Sequence, residues 1–162
     1  MNYTIRPAQA EDMVDVLRLI EELAVFEKEP DAVEVTVEQL REDGFGESPK
    51  FGCLLGCDQE VVVGMALFYP RYSTWKGLVI HLEDLIVTEK ARGTGLGSAL
   101  LTEVIRYAAG QGARRVSWEV LDWNTPAIEF YESRGARIMR EWNVVHLDKK
   151  GIAAYLENYA RI

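Results

Sequence analysis

Leu78-Val79-Ile80-His81-Leu82-Glu83-Asp84-Leu85-Ile86-Val87, followed at a short distance by Arg92-Gly93-Thr94-Gly95-Leu96-Gly97-Ser98, is the stretch whose reading decides the fold. The first run is apolar and β-branched, as a long strand requires. Beyond the glycines, Leu96, Ala99, Leu100, Val104, Tyr107 and Ala108 recur at helical spacing as far as Gly110-Gln111-Gly112, which ends the helix. A strand therefore passes through a glycine-rich turn into a helix that starts near Gly95. Several backbone N–H groups without helical partners meet the positive end of a helix dipole there, an arrangement suited to a phosphate. Glycine removes the Cβ atoms that would hold an anion away, and Arg92 adds charge from the side.

Before this stretch, Tyr3 to Arg6 reads as a short strand, and Met13, Val16, Leu17, Ile20, Leu23 and Ala24 mark an amphipathic helix. Thr36 can cap a second helix that runs through Leu40 to Asp43. Phe51 to Cys57 and Val61 to Tyr69, joined by Asp58-Gln59, form a hairpin pattern. After the glycine loop, Val116 to Leu121 reads as a strand. Asn124 caps a helix with Pro126 in its first turn and Gly135 at its end. Trp142 to Leu147 reads as a last strand and Ile152 to Tyr159 as a helix. No internal repeat or low-complexity tract is present. The expectation is one α+β domain over residues 1–162, with a mixed, mostly antiparallel sheet and helices on both faces.

Composition bounds the function. The 162 residues are 48% hydrophobic, enough for one domain with a full core. No signal-peptide pattern and no bilayer-length apolar run occurs, which points to a cytoplasmic protein without a membrane partner. Net charge is −8, from 26 acids against 18 bases, so nucleic acid is a poor partner. Cys53 and Cys57 would stand about 13 Å apart on a strand, too far for a disulfide, and read as buried thiols. His81 and His146 are remote from both in sequence, so no metal site is expected.

Three phosphate-binding readings compete for the loop. A dinucleotide fingerprint needs its third glycine one position beyond Gly97, and a P-loop needs Lys-Ser/Thr where this chain has Ser98-Ala99. The remaining pattern, Arg92-Gly93-Thr94-Gly95-Leu96-Gly97, resembles the Arg/Gln-x-x-Gly-x-Gly/Ala pyrophosphate loop of the Gcn5-related N-acetyltransferase (GNAT) superfamily. A glycine-rich turn without a ligand stays open beside it. Asp43-Gly44-Phe45-Gly46, Tyr72-Ser73-Thr74-Trp75-Lys76-Gly77, Leu82-Glu83-Asp84, Leu121-Asp122-Trp123-Asn124, Phe130-Tyr131 and Arg134-Gly135-Ala136 look like the diamine and polyamine branch of that superfamily, and the resemblance covers most of the chain.

The resemblance implies acetyl-CoA as co-substrate and a small-molecule amine as acceptor, a homodimer, and a sheet whose strands splay apart at the pantetheine arm, between Val87 and the 116–121 strand. Carried over by residue, acetyl-CoA would be held by Leu85, Ile86 and Val87, by Arg92, Gly93, Thr94, Gly95, Leu96, Gly97 and Ser98, and by Asn124, Thr125, Pro126, Ala127 and Arg134. The acceptor positions fall on Phe26, Glu27, Glu83, Ser117, Trp118 and Glu119. Phe26 stands where polyamine-specific relatives often carry Tyr, and with Tyr72 to Gly77 this tilts the comparison toward relatives that act on thialysine and other short amines. The carboxylates of Glu27, Glu29, Asp31 and Glu34 either steer a dication or solvate a loop.

Acetylating an amine with a thioester requires a neutral amine, donors for the oxyanion and a proton for the departing thiolate. Glu83 matches the acidic substrate position and would relay the amine proton through water, while alternation along the strand sends Asp84 to the opposite face. A pair of strand-end carboxylates in salt bridges is the other reading. Tyr131 matches the place of the general acid, seven residues after Asn124; a core tyrosine held by one hydrogen bond is the plainer alternative. Acceptors of other kinds, such as a protein or peptide amine or an antibiotic, would use the same loop. A non-catalytic acyl-CoA sensor would lack working Glu83 and Tyr131.

Overall fold

The computed structural model describes residues 3–160. Its contacts gather into two compact units, Met1–Leu121 and Asp122–Ile162. The first contains β1 (Tyr3–Pro7), α1 (Met13–Phe26), α2 (Val37–Phe45), β2 (Gly52–Asp58), β3 (Val61–Ser73), β4 (Gly77–Val87), α3 (Leu96–Gly110) and β5 (Val116–Ser117). The strands lie side by side in chain order. They are antiparallel from β1 to β4, and β5 joins β4 in parallel. This is the mixed, mostly antiparallel α+β sheet expected of the sequence.

Helices cover both faces of the sheet. Leu55 on β2 joins Met13, Val16 and Leu19 of α1 in one buried cluster, together with Met65, Leu67 and Ile86. The next residue, Gly56, lies beneath Leu96 of α3, whose methyl carbon would stand 2.7 Å from a Cβ there. Successive strand residues face opposite sides, so α1 and α3 pack on opposite faces. On the α3 side Leu100 and Val104 are fully buried, and the Phe68 and Tyr107 rings lie 4.8 Å apart. Fully buried side chains such as Leu100 and Val104 contribute about 1.5–3 kcal/mol each by leaving water. Cys53 and Cys57 are free, buried thiols of the α1 cluster, and burial pushes the Cys53 thiol up to about 12.

The helix starts follow their expected chemistry. Thr36 accepts from the Gln39 N–H at 3.2 Å and caps α2, which continues through Gly44 to Phe45, two residues past its expected end. Arg6 on β1 makes a two-pronged pair with Asp12, both contacts at 2.7 Å, and Asp12 also accepts from the Gln9 N–H ahead of α1.

The strand expected over Val116 to Leu121 is much shorter. Only Ile80↔Val116 and His81↔Ser117 pair. The β3–β4 register steps there from Leu67↔Asp84 to Phe68↔Leu82, which leaves Glu83 as an extra, bulged residue on β4. A bulge bends its strand and sharpens its twist. Past His81, β4 therefore runs on to Val87 without β5 beside it, and the two strands part as the splayed pair requires.

In the second unit, α4 (Thr125–Glu132) and α5 (Lys149–Tyr159) are the regular elements. Asn124 accepts from the Ala127 N–H at 3.4 Å, and Pro126 sits in the first turn of α4. The helix ends in a Schellman closure: Ala136 N–H donates to Tyr131 O at 3.1 Å and Gly135 N–H to Glu132 O at 3.0 Å, with Gly135 at φ 84°. The strand expected over Trp142 to Leu147 does not form; residues 142–148 are irregular and Val145 is 88% exposed. Aromatic and β-branched residues suit a strand, but a strand exists only when a neighbouring edge completes its hydrogen bonds. Asp148 caps α5 through the Gly151 N–H at 2.7 Å, which starts that helix three residues before Ile152. No helix among the described residues is long and apolar enough to cross a membrane.

Candidate active site

The strand, loop and helix that opened the reading form one continuous feature of the first unit. Val87 ends β4, a single 3-10 turn spans Glu89–Ala91, and Gly95 caps α3. Gly93 and Gly95 have φ of 75° and 90°, in the left-handed region where a Cβ is costly, and open space lies where each Cβ would be. Gly95 brings no capping oxygen to the first turn of α3. The amides of Leu96 and Gly97 therefore keep their capacity for an outside acceptor. Such a cradle fits a pyrophosphate. Thr94 closes the turn by donating its hydroxyl proton to Ala91 O at 2.6 Å.

Arg92 reaches back from the loop toward the end of β4 and of α1. Its Nε donates to Val87 O at 3.1 Å, and its guanidinium lies 5.1 Å from the Phe26 ring centroid. The residue thus joins the loop to the end of α1, where the first acceptor positions begin.

Of these, Glu27 opens onto a cleft of about 270 Å³ whose lining includes Ile20, Leu23, Glu34 and Asp84. Its lining mixes apolar side chains with the carboxylates of Glu27, Glu29, Glu34 and Asp84. Burial pushes the Asp84 carboxyl up to about 6, with Glu83 and Glu27 adding like-charge repulsion. Partial burial also raises Glu27. Asp84 is the site residue that sequence reasoning passed over in favour of its neighbour. Adjacent acids on an apolar strand were the available signal, and the bulge at Glu83 decides how the two are disposed.

Glu83 is exposed and held from one side. Its Oε2 accepts the Tyr69 phenolic proton at 2.9 Å and stands 3.6 Å from His81 Nε2. Ser117 lies behind His81, with Oγ 3.2 Å from Nδ1. The structure thereby brings two acceptor positions, Glu83 and Ser117, onto one histidine. Trp118 is half-buried and Glu119 exposed as the chain leaves β5. Leu85, Ile86 and Val87 pair with Ala66, Met65 and Gly64 of β3 along the end of β4 that β5 has left. Ser98 lies in the first turn of α3.

The remaining expected positions belong to the second unit. Asn124, Thr125, Pro126 and Ala127 form the capped start of α4, and Tyr131 lies in its last full turn. Tyr131 is buried, which raises its phenol pKa, so it carries its proton at neutral pH. The Arg134 guanidinium covers the Phe130 ring at 3.7 Å and donates to Phe130 O at 3.1 Å. No group of three or more His, Cys, Asp or Glu side chains among the described residues is placed to hold a metal ion.

Set beside known proteins, residues 13–136 match the model of the acetyltransferase (GNAT) family. The thialysine N-epsilon-acetyltransferase of Bos taurus is 43% identical over 145 residues, covering 85% of each chain. The spermidine/spermine N(1)-acetyltransferase-like protein 1 of Homo sapiens is 39% identical over 141 residues, 83% of this chain and 20% of that one. Among solved structures, an integron cassette protein from the mobile metagenome of V. cholerae superposes with a TM-score of 0.78, covering 97% of this chain and 99% of its own at 21% identity. An aminoglycoside acetyltransferase from a soil metagenome reaches 0.71 over 90% of this chain and 94% of its own at 18% identity. At these identities the two structures attest the fold.

Proposed function

This chain belongs to the acetyltransferase (GNAT) family, and on that footing we propose that it moves an acetyl group from acetyl-CoA to a primary amine of a small diamine, polyamine or thialysine-like amino acid. The observation that carries the acceptor class is the 43% identity, over 85% of both chains, to an enzyme named for thialysine. The cleft beside β4, lined by both apolar side chains and carboxylates, suits a short amine with an alkyl stem and a cationic end.

Bound acetyl-CoA supplies an activated acetyl group on a thioester. The chain's own residues do the rest. Arg92, the amides of Gly93 to Ser98 and the α3 N-terminus take the pyrophosphate, and Leu85, Ile86 and Val87 line the acyl arm. Asn124, Thr125, Pro126, Ala127 and Arg134 complete the donor site. Phe26, Glu27, Ser117, Trp118 and Glu119 surround the acceptor. An aliphatic ammonium has a pKa near 10.4 and must lose a proton before it attacks. Glu83 takes that proton, directly or through water, and Tyr131 returns one to the departing thiolate. Residues 1–162 act as one acetyltransferase domain, the sequence pattern suits the cytoplasm, and the family likeness implies a homodimer.

The test is release of free thiol from acetyl-CoA against spermidine, spermine, putrescine, thialysine, lysine and peptides. The reading expects thialysine or a short diamine to lead on kcat/KM. Preference for a peptide or an aminoglycoside, or no turnover with any amine despite acetyl-CoA binding, overturns it.

A further inference from the structure

His81 is buried, at 7% exposure, among apolar neighbours on β4. A buried imidazole needs partners. It has Ser117 Oγ 3.2 Å from Nδ1, the Tyr69 ring 5.3 Å away at 45°, and Glu83 Oε2 3.6 Å from Nε2. Tyr69 donates to that same Oε2 at 2.9 Å. The two strands thus bring a phenol and an imidazole to one oxygen of the bulged glutamate. Glu83 Oε1 has no hydrogen bond among the described residues.

We propose that Tyr69 and His81 are positioning residues for Glu83: the Tyr69 hydroxyl fixes Oε2 so that Oε1 faces the amine, and His81 must stay neutral for that carboxylate to remain available. The proposal rests on the reading of Glu83 as the group that receives the amine proton. The proton balance is simple. The ammonium N–H breaks, the Glu83 O–H forms at Oε1, and the hydrogen bond from Tyr69 to Oε2 persists throughout.

At 3.6 Å the His81–Glu83 contact is too long for a hydrogen bond but close enough for an ion pair once the imidazole is charged. An imidazolium there would compensate the Glu83 charge, lower its basicity and weaken its hold on a cation. Burial works against that state and holds His81 below the ordinary histidine range; Glu83 and Glu119 pull it up and Arg71 pulls it down. Tyr69 and the Ser117 hydroxyl, the other polar groups facing it, remain neutral, since burial and Glu83 push the Tyr69 phenol up to about 12.

The experiment is a double-mutant cycle of Tyr69→Phe and Glu83→Gln, with His81→Gln assayed across pH. Tyr69→Phe keeps the ring against His81 and removes one oxygen. It should lower kcat about tenfold, the scale of a hydrogen bond to a charged group, while acetyl-CoA affinity by calorimetry is unchanged. Added to Glu83→Gln it should cost nothing more. The ratio of wild-type to His81→Gln kcat/KM, in which titration of the amine itself cancels, should be flat from pH 7 to 9 and fall only at pH below the ordinary histidine range, as His81 gains charge in the wild type. A Tyr69→Phe defect that adds to that of Glu83→Gln, an unchanged kcat in Tyr69→Phe beside an impaired Glu83→Gln, or a ratio independent of pH overturns the proposal alone. A Glu83→Gln enzyme that turns over like wild type removes Glu83 as proton acceptor, and the proposal falls with that reading.

Discussion

Asp84 on β4 and Glu27 just past α1 open onto the same cleft, and Glu27 adds to the cost of charge on Asp84. Because Asp84 sits at about 6 in the fold against an ordinary 3.8, its protonated form favours the folded state. That stabilisation is complete below the ordinary carboxylate pKa and is lost as pH rises through about 6. Asp84→Asn removes the titration. Urea unfolding should therefore find the variant more stable than wild type at pH 7.5, by on the order of 1–3 kcal/mol. The gap should close by pH 3.5. Equal stability of the two proteins across that range would contradict the burial assigned to this carboxyl. A cationic amine in the cleft should stabilise wild type at pH 7.5 more than the variant, since it supplies the missing counter-charge.

Gly95 carries the second prediction. At φ 90° it caps α3 in a conformation that costs an alanine about 1–2 kcal/mol, while asparagine tolerates it better. Gly95→Ala should accordingly lower stability by that amount without abolishing the fold, and Gly95→Asn by less. Acetyl-CoA should raise Tm in wild type and raise it less in Gly95→Ala, because the strained loop presents its amides poorly. Gly97→Ala is a control for stability only, since a Cβ there meets only Val87 Cγ2 at an ordinary 3.6 Å. Calorimetric acetyl-CoA affinity that is equal in Gly95→Ala and wild type would separate the loop from the phosphate.

Much of this site was legible in the sequence because its signals are local. The β4 run, the glycine turn and the caps at Thr36 and Asn124 each declare themselves within a few residues, and all are found where expected. The bulge at Glu83 is not local. Val79, Ile80, His81 and Leu82 are all buried, so neither face of β4 shows an alternation whose slip would betray an extra residue. The Tyr69–Glu83–His81 contact follows from that slip and from the pairing of β3 with β4, neither of which spacing along the chain encodes. The overlong strand at Val116 to Leu121 and the absent one at Trp142 to Leu147 fail for a related reason. Both have strand composition, and in both the ladder, not the composition, sets what forms.

Tyr131 closes the set. Its carbonyl anchors the Schellman turn at the end of α4, accepting from Ala136 N–H at 3.1 Å, so the backbone is fixed whatever the side chain does. Tyr131→Phe removes one oxygen and keeps that anchor. A general acid that disappears should cost roughly 10²–10⁴ in the chemical step, whereas a hydroxyl serving only the core should cost on the order of 1 kcal/mol of stability and leave turnover intact. Steady-state rates mix chemistry with product release, so a single turnover with saturating acetyl-CoA is the measurement that separates the two. Burial raises the Tyr131 phenol, so a donor role stays fully protonated through neutral pH, and the wild-type single-turnover rate should show no loss of the acid form below pH 9. A folded Tyr131→Phe enzyme within about threefold of wild type in that assay falls short of the general-acid range and returns the residue to the core.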